Sequence, residues 1–324
     1  MSSAPASGAD PPALLQRAVD GDRSALARLL SLVERGGPGA RSVAREVHPR
    51  AGTATTVGIT GAPGAGKSTL TGALCGRIRD DDERVAVLAI DPSSPFTGGA
   101  ILGDRVRMSD HVLDPGVFIR SMATRGHLGG LSVATPEAVR VLDAAGYRWV
   151  VVETVGVGQV EVDVAAAADT TVVVVNPGWG DEVQAAKAGL LEIADVFVVN
   201  KADRPGAADA ARDLTAVLSL RGPTDWVPPV IETVATTGSG VEELWGALRS
   251  HRDHLLASGE LEARRRRRDR DELRAVMVAR LVERSEDRCR GPRWDAALAR
   301  LAERSADPWE LADELLDGTD PAPG

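Results

Sequence analysis

A glycine-rich segment at residues 61–69, GAPGAGKST, constrains this chain more than any other feature of its sequence. It matches the pattern GxxxxGK[ST] and lies between a β-branched run and a helix that is predicted to begin near Ser68. Glycines let such a loop curl so that its backbone N–H groups point at phosphate oxygens. The pattern predicts a phosphate-binding loop formed by Gly61, Ala62, Pro63, Gly64, Ala65, Gly66, Lys67, Ser68 and Thr69.

The same segment, with two acids further along the chain, predicts a magnesium site. Lys67 is expected to neutralise the β- and γ-phosphates, and the Ser68 hydroxyl to bind Mg²⁺. Asp91 and Glu153 each follow an apolar run, where the carboxyl ends of parallel strands form the ligand crevice. Either acid alone is equally well explained as a helix cap or a solvated strand end. Their occurrence beside a phosphate loop favours metal binding.

Residues 153–156, ETVG, stand where GTPases carry the DxxG element that senses the γ-phosphate, with Glu153 in place of the usual aspartate. Gly156 matters because only a residue without a Cβ lets its backbone N–H approach the γ-phosphate closely. The longer side chain of Glu153 implies contact with Mg²⁺ at a different reach or through water.

Residues 200–203, NKAD, predict a guanine-binding loop after the apolar run 196–199. The Asp203 carboxylate can accept hydrogen bonds from guanine N1–H and the 2-amino group, whereas adenine offers neither, so adenine is rejected. Lys201 is expected to lie along the base, and Asn200 to tie this loop to the phosphate loop or the purine edge. The alternative is a helix N-cap at Asp203. Further backbone contacts to the base are predicted from Val234, Ala235 and Thr236.

Short β-branched runs alternate with helix-like segments through the middle of the chain, which predicts an α/β fold with a parallel sheet covered on both faces. The runs that we interpret as strands are 56–60, 85–90, 149–152, 171–175, 196–199 and 230–233. One helix is predicted over 14–34, and two or three helices follow 241. We expect a helical N-terminal extension at 1–50, a phosphate-loop domain at 51–255 and a helical C-terminal arm at 256–324.

Composition limits the other functions open to the chain. Its 324 residues carry a formal net charge of -9, which disfavours nucleic acid or anionic lipid as a partner. The arginine run 264–268 lies among acidic residues and is interpreted as a solvated helix face. Cys75 and Cys289 lie far apart without metal-ligand spacing. No basic, apolar leader and no stretch of about 20 apolar residues is present, so the expectation is a cytoplasmic protein.

Four longer stretches closely resemble the MeaB/ArgK family of G-proteins, which includes the human methylmalonic aciduria type A protein. They are 91–108 (DPSSPFTGGAILGDRVRM), 120–130 (RSMATRGHLGG), 153–161 (ETVGVGQVE) and 177–187 (PGWGDEVQAAK). The likeness extends over about residues 14–281. These loop motifs are far more specific than a phosphate loop alone.

The resemblance implies a GTPase core of the SIMIBI class, a C-terminal dimerisation arm that makes a homodimer, and GTP or GDP with Mg²⁺ as ligands. It implies a chaperone that gates adenosylcobalamin loading and protects an acyl-CoA mutase of the methylmalonyl-CoA mutase type. The magnesium-site residues implied by matching motifs are Ser68, Asp91, Asp104 and Glu153. The segment 177–187 would be a switch that reports the nucleotide state.

Hydrolysis also requires a group that positions the attacking water, and three residues are candidates: Gln159, Glu161 and His127. With Lys67 and Glu153, Gln159 completes the predicted catalytic set. Three other functions remain open. A nickel-enzyme maturation GTPase would need Cys/His ligands, a protein kinase of a transport system would need a phospho-acceptor, and a structural dimer would bind nucleotide without turnover.

Overall fold

The structure is a computed structural model that describes residues 10–91, 113–123, 134–154, 167–178, 189, 191–220, 222 and 224–317. Seven parallel strands form one sheet in this part of the chain, in the order β3-β2-β4-β1-β5-β6-β7. The parallel-sheet fold class is therefore confirmed. The strands are β1 (Thr55–Gly61), β2 (Val85–Asp91), β3 (Val117–Ala123), β4 (Trp149–Thr154), β5 (Thr170–Val175), β6 (Val196–Asn200) and β7 (Val230–Thr233).

Helices precede, cover and follow the sheet. They are α1 (Pro11–Val19), α2 (Arg23–Arg35), α3 (Gly37–Val47), α4 (Lys67–Asp80), α5 (Ala134–Ala144), α6 (Ala207–Ser219), α7 (Val241–Ser258), α8 (Glu260–Arg288), α9 (Pro292–Ala302) and α10 (Pro308–Asp317). None of these described helices combines the length and apolarity that crossing a membrane requires.

Two faces of the sheet are buried by different helices. On one face α4 and α7 pack on inward-facing valines and isoleucines of β1 and β5, such as Ile59 and Val172. The other face packs on α1, α2, α3 and α5 at β2 and β4, and on α6 at β5 and β6. Burial on both faces explains why the strands read as continuous apolar runs instead of alternating.

The N-terminal extension differs from the single helix predicted over 14–34. The chain breaks at Gly21, whose φ of +96° favours glycine, and a new helix starts with Asp22 as its N-cap. The Asp22 carboxylate accepts hydrogen bonds from the backbone N–H groups of Ser24 and Ala25 at 2.8 and 3.1 Å. Local capping therefore divides an apolar pattern that periodicity alone reads as continuous.

The arginine run 264–268 is only partly the solvated face that its charge pattern predicts. Arg266 is exposed and pairs with Glu262, but Arg264 donates two hydrogen bonds of 2.9 Å to the Asp195 carboxylate. Arg265 and Arg268 bind the buried carboxylate of Asp169. The interpretation was wrong for these three arginines because their partners lie about 70 to 100 positions earlier in the chain.

His251 is buried in a polar cluster where α7 meets β5 and β6. Its Nδ1 lies 2.9 Å from the Thr170 hydroxyl, its Nε2 lies 3.3 Å from Asp195, and the Trp226 ring packs beside it at 4.7 Å. Burial lowers the pKa of His251 to about 4. The Asp195 carboxylate acts in the opposite direction, and the nearby charge of Arg264 lowers the pKa further. The imidazole is therefore neutral in the folded protein at pH 7.

We expect this neutral imidazole to make the protein less stable in mild acid. Below pH 6.5 the unfolded chain protonates His251, but the folded chain does so only near pH 4. The free energy of unfolding should fall by about 2 kcal/mol between about pH 7 and about pH 5. Chemical denaturation at both pH values measures this loss, which should shrink in His251→Gln. It should persist in His48→Gln, which alters an exposed histidine, and an equal loss in both variants would contradict the assignment.

The chain divides into two compact units between Arg268 and Asp269. In the second unit α9 and α10 pack together through buried Ala297 and Leu311, and Arg300 donates to Glu314 at 2.6 Å. The part of α8 in this unit carries an exposed apolar row spaced four residues apart. Its members are Leu273, Met277 and Leu281, which are 62%, 58% and 59% exposed.

Candidate functional site

The phosphate loop leaves β1 at Gly61 and enters α4 at Lys67. Gly61 has a φ of +134°, and a Cβ at this position would lie 2.0 Å from the Val174 carbonyl oxygen of β5. Only glycine can therefore pass β5 so closely. Gly64 and Gly66 also have positive φ values, of +71° and +92°. The curled backbone that the motif predicts is thus present.

Lys67 lies at the start of α4, where the first backbone N–H groups have no acceptor within the helix. Its side chain is buried and folds over the loop, with Nζ donating to the carbonyl oxygens of Gly61 at 2.7 Å and Ala62 at 3.2 Å. The ammonium group and the helix N-terminus place positive charge at the same point. This arrangement suits an anionic phosphate group.

Ser68 and Glu153, two of the four predicted magnesium ligands, meet in the structure. The Ser68 hydroxyl donates to Glu153 Oε1 at 2.5 Å, and both side chains are buried. Burial and the Glu153 charge together raise the pKa of the Cys75 thiol, on the next turns of α4, to about 12. Hydroxyl and carboxylate oxygens are hard donors, so this pair fits Mg²⁺.

Asp91 ends β2 and Glu153 lies in the adjacent strand β4, opposite Ala89. The backbone thus brings Asp91 and Glu153 to the carboxyl ends of two neighbouring strands. Asp104, Gly156 and Gln159, and the alternatives Glu161 and His127, lie outside the described residues. Within the described ranges no group of three or more His, Cys, Asp or Glu side chains has metal-binding geometry.

Asn200, the last residue of β6, connects the predicted guanine-binding loop, residues 200–203, to the phosphate loop. Its Nδ2 donates to the Ala65 carbonyl at 2.8 Å, and its Oδ1 accepts hydrogen bonds from Thr233 Oγ1 and from the Ala235 backbone N–H. A Cβ on Gly66 would lie 2.4 Å from Nδ2. The amide therefore uses both its donor and its acceptor to join three loops.

The rest of the predicted base site surrounds this connection. Lys201 has a φ of +60° and donates from Nζ to the Gly64 carbonyl at 2.6 Å, so its stem extends from the guanine loop to the phosphate loop. Asp203 is exposed two residues later. Val234 and Thr236 flank Ala235 in the turn that follows β7. Pro63 lies in the loop between β1 and α4, and Thr69 lies in the first turn of α4.

Thr233 is a residue of this site that the sequence reasoning missed. It is fully buried at the end of β7, where its hydroxyl donates to Asn200 and its carbonyl oxygen accepts from the Ala202 backbone N–H at 3.0 Å. It thereby holds Asn200 and Ala202, the residues on either side of Lys201. Its place directly before Val234 was the available signal, but its partner lies 33 residues away.

Comparison with known proteins agrees with this geometry. The family model described as methylmalonyl Co-A mutase-associated GTPase MeaB matches residues 26–289. A Pyrococcus abyssi protein named as a GTPase is 49% identical over 307 residues, which cover 94% of this chain and 95% of that protein. The mouse mitochondrial methylmalonic aciduria type A homolog is 37% identical over 266 residues, covering 76% of this chain and 64% of that protein.

A solved structure, that of a LAO/AO transport system kinase, has the same fold. It superposes with a TM-score of 0.70 at 27% identity, covering 97% of this chain and 99% of that chain. Because the family model matches residues 26–289, which are most of the chain and include residues 61–69 and 200–203, the chain belongs to the MeaB family of P-loop GTPases.

Proposed function

We propose that this GTPase is a chaperone that gates adenosylcobalamin loading and protects an acyl-CoA mutase of the methylmalonyl-CoA mutase type. The observation that carries the proposal is the family match over residues 26–289, whose description names this mutase. The name of the mouse relative, a methylmalonic aciduria protein, supports the same class of partner. The family match includes the phosphate-loop domain, proposed at 51–255, and extends beyond it at both ends.

In this proposal GTP binds across the loops that Asn200 joins. Backbone N–H groups of residues 61–69 and the Lys67 ammonium bind the phosphates, while Asp203 reads guanine and Lys201 and residues 234–236 contact the base. Ser68 and Glu153, with Asp91 and Asp104, would hold Mg²⁺, which supplies charge neutralisation at the phosphates. Among the described residues Lys67 and Glu153 are the proposed catalytic ones, and Gln159 is proposed to position water.

We further propose that a helical extension at 1–50 precedes the phosphate-loop domain and that an arm at 256–324 follows it. In this proposal the chain forms a homodimer through the arm. The supporting observation is the exposed apolar row of Leu273, Met277 and Leu281. Spaced four residues apart, these side chains form one stripe of a helix, which a second copy of the chain can cover.

The partner proposal predicts two results. A mutase that binds adenosylcobalamin should be captured from cell extract in the presence of a non-hydrolysable GTP analogue, and much less of it with GDP. Purified methylmalonyl-CoA mutase should raise the slow intrinsic GTP turnover on the order of tenfold or more, by ordering the loops around the γ-phosphate. Full-rate hydrolysis by the chain alone, unchanged by any such mutase, would contradict the proposal.

One other candidate, a protein kinase of a transport system, has support from the name of the solved structure with the same fold. Labelled GTP separates the two functions. Release of free labelled phosphate is expected for the proposed GTPase chaperone, and stable transfer of the label to a protein is expected for a kinase.

A further inference from the structure

Asp169 is a buried carboxylate at the end of the sheet opposite the phosphate loop. It precedes β5, and its side chain is 1% exposed. Its Oδ2 accepts from the Thr56 backbone N–H at 3.0 Å, and its own N–H donates to Thr56 Oγ1 at 2.8 Å and to the Thr56 carbonyl at 2.9 Å. These bonds form the Asp169–Thr56 pairing, which joins the start of β1 to the start of β5.

The Asp169–Thr56 pairing sets the register of the strand that carries the phosphate loop. From this end Val57 lies opposite Thr170, and at the other end Gly61 lies opposite Val174. The Val174 carbonyl leaves no room for a Cβ at Gly61. A shift of β1 by one residue, about 3.3 Å, would bring a side chain against that carbonyl. The loop therefore depends on the position of β1 along β5.

A pairing built on a buried carboxylate requires compensating charge. Arg265 donates to Asp169 Oδ2 from Nη2 at 2.9 Å and to Oδ1 from Nε at 3.2 Å, and Arg268 Nη2 also donates to Oδ1. Arg265 also donates to the carbonyl oxygens of Gly52 and Ala54 at 2.6 and 2.8 Å. The first turns of α8 therefore hold both Asp169 and the segment that leads into β1.

We propose that Arg265 and Arg268 are positioning residues for nucleotide binding. By neutralising Asp169 they keep the Asp169–Thr56 pairing intact, and this pairing holds the phosphate loop in place against β5. The proposal rests on the assignment of residues 61–69 as the nucleotide site. It gives the arginine-rich start of α8 a role in GTP binding without any contact with the nucleotide.

The test compares Arg268→Gln with Arg266→Gln. Both remove one charge from the same helix, but Arg266 is 74% exposed and pairs with Glu262. We expect Arg268→Gln to weaken binding of a fluorescent GDP analogue on the order of tenfold and to raise hydrogen exchange in residues 56–66. Arg266→Gln should change neither, and Arg268→Lys should recover most of the affinity. Both measurements are made below the unfolding temperature of each variant.

Thr56→Val provides a milder variant in case Arg268→Gln does not fold, since it removes the hydroxyl acceptor and keeps a β-branched residue. It should weaken GDP binding and raise hydrogen exchange in residues 56–66, each by less than Arg268→Gln does. Unchanged GDP affinity and unchanged exchange in 56–66, with only a lower unfolding temperature, would overturn the proposal. Exchange is recorded without nucleotide, so it tests the pairing even if Lys67→Ala shows that GDP binds elsewhere.

Discussion

Replacing Lys67 with alanine is expected to lower kcat/KM for GTP hydrolysis on the order of a thousandfold. Lys67 is a buried cation that folds over the phosphate loop, with Nζ donating to the Gly61 and Ala62 carbonyls. Charge that develops on the phosphoryl oxygens would lose its preorganised partner, a loss worth about 3 to 4 kcal/mol in comparable sites. Single-turnover hydrolysis measures the effect on the chemical step, and GDP titration measures the effect on nucleotide binding.

A matched control for this variant is Arg212→Ala, which removes a positive charge from an exposed site on α6. Its hydrolysis rate should equal that of the unaltered protein. Circular dichroism and thermal unfolding must show that Lys67→Ala remains folded. Near-normal hydrolysis by folded Lys67→Ala would mean that the phosphates bind elsewhere.

Replacing Asp203 with asparagine is expected to change the base that the protein binds. A carboxylate accepts hydrogen bonds from guanine N1–H and the 2-amino group. The asparagine amide instead presents an N–H to that amino group, so that two donors face each other. Affinity for GDP should fall on the order of a hundredfold or more, because polar groups are left unpaired. Xanthosine diphosphate, which carries an oxygen in place of the amino group, should bind the variant better than it binds the unaltered protein.

Asp209→Asn is the control for this change, since Asp209 is an exposed acid on α6 that pairs with Arg212. It should leave both affinities unaltered. Competition of guanosine and xanthosine diphosphates against a fluorescent nucleotide gives the ratio of the two affinities directly. If Asp203→Asn kept its preference for guanine, Asp203 would be only a loop residue near a helix start.

Local patterns predicted the parts of this molecule that depend on neighbouring residues. The GAPGAGKST and NKAD motifs place their backbones at the ends of β1 and β6, because strand, turn and helix signals follow each other within a few residues. The parallel sheet followed from β-branched runs that are buried on both faces. The resemblance over residues 91–108 and 153–161 indicated the MeaB family, which the family model confirms.

Other parts could not be predicted, since they depend on contacts between distant residues. Strand β3 was missed because Arg120 interrupts its apolar run, and that guanidinium is accommodated by Glu34 and Ser31 of α2, at 2.5 and 3.0 Å. The C-terminal region contains four described helices, α7 to α10, where two or three were predicted. Glycines at 259 and 291, with φ values of +73° and +84°, separate α7, α8 and α9, and the turn at Arg304, with a φ of +56°, separates α9 from α10.

The site shows the same division between local and distant signals. The sequence predicted that Asn200 would tie the base loop to the phosphate loop or the purine edge, and the structure shows the first contact, to Ala65. The sequence did not predict that the Thr233 hydroxyl donates a hydrogen bond to Asn200. Neither residue identifies the other by type or spacing, so only the order β6 next to β7 brings them together.

Calorimetric titration of the unaltered protein with GDP and, separately, with ADP tests the central claim most directly. The claim is that residues 61–69 bind the phosphates while Asp203 selects guanine. It predicts one GDP site per chain and binding of ADP that is on the order of a hundredfold or more weaker, which corresponds to about 3 kcal/mol. Equal affinity for the two nucleotides, or no binding of GDP, would contradict it.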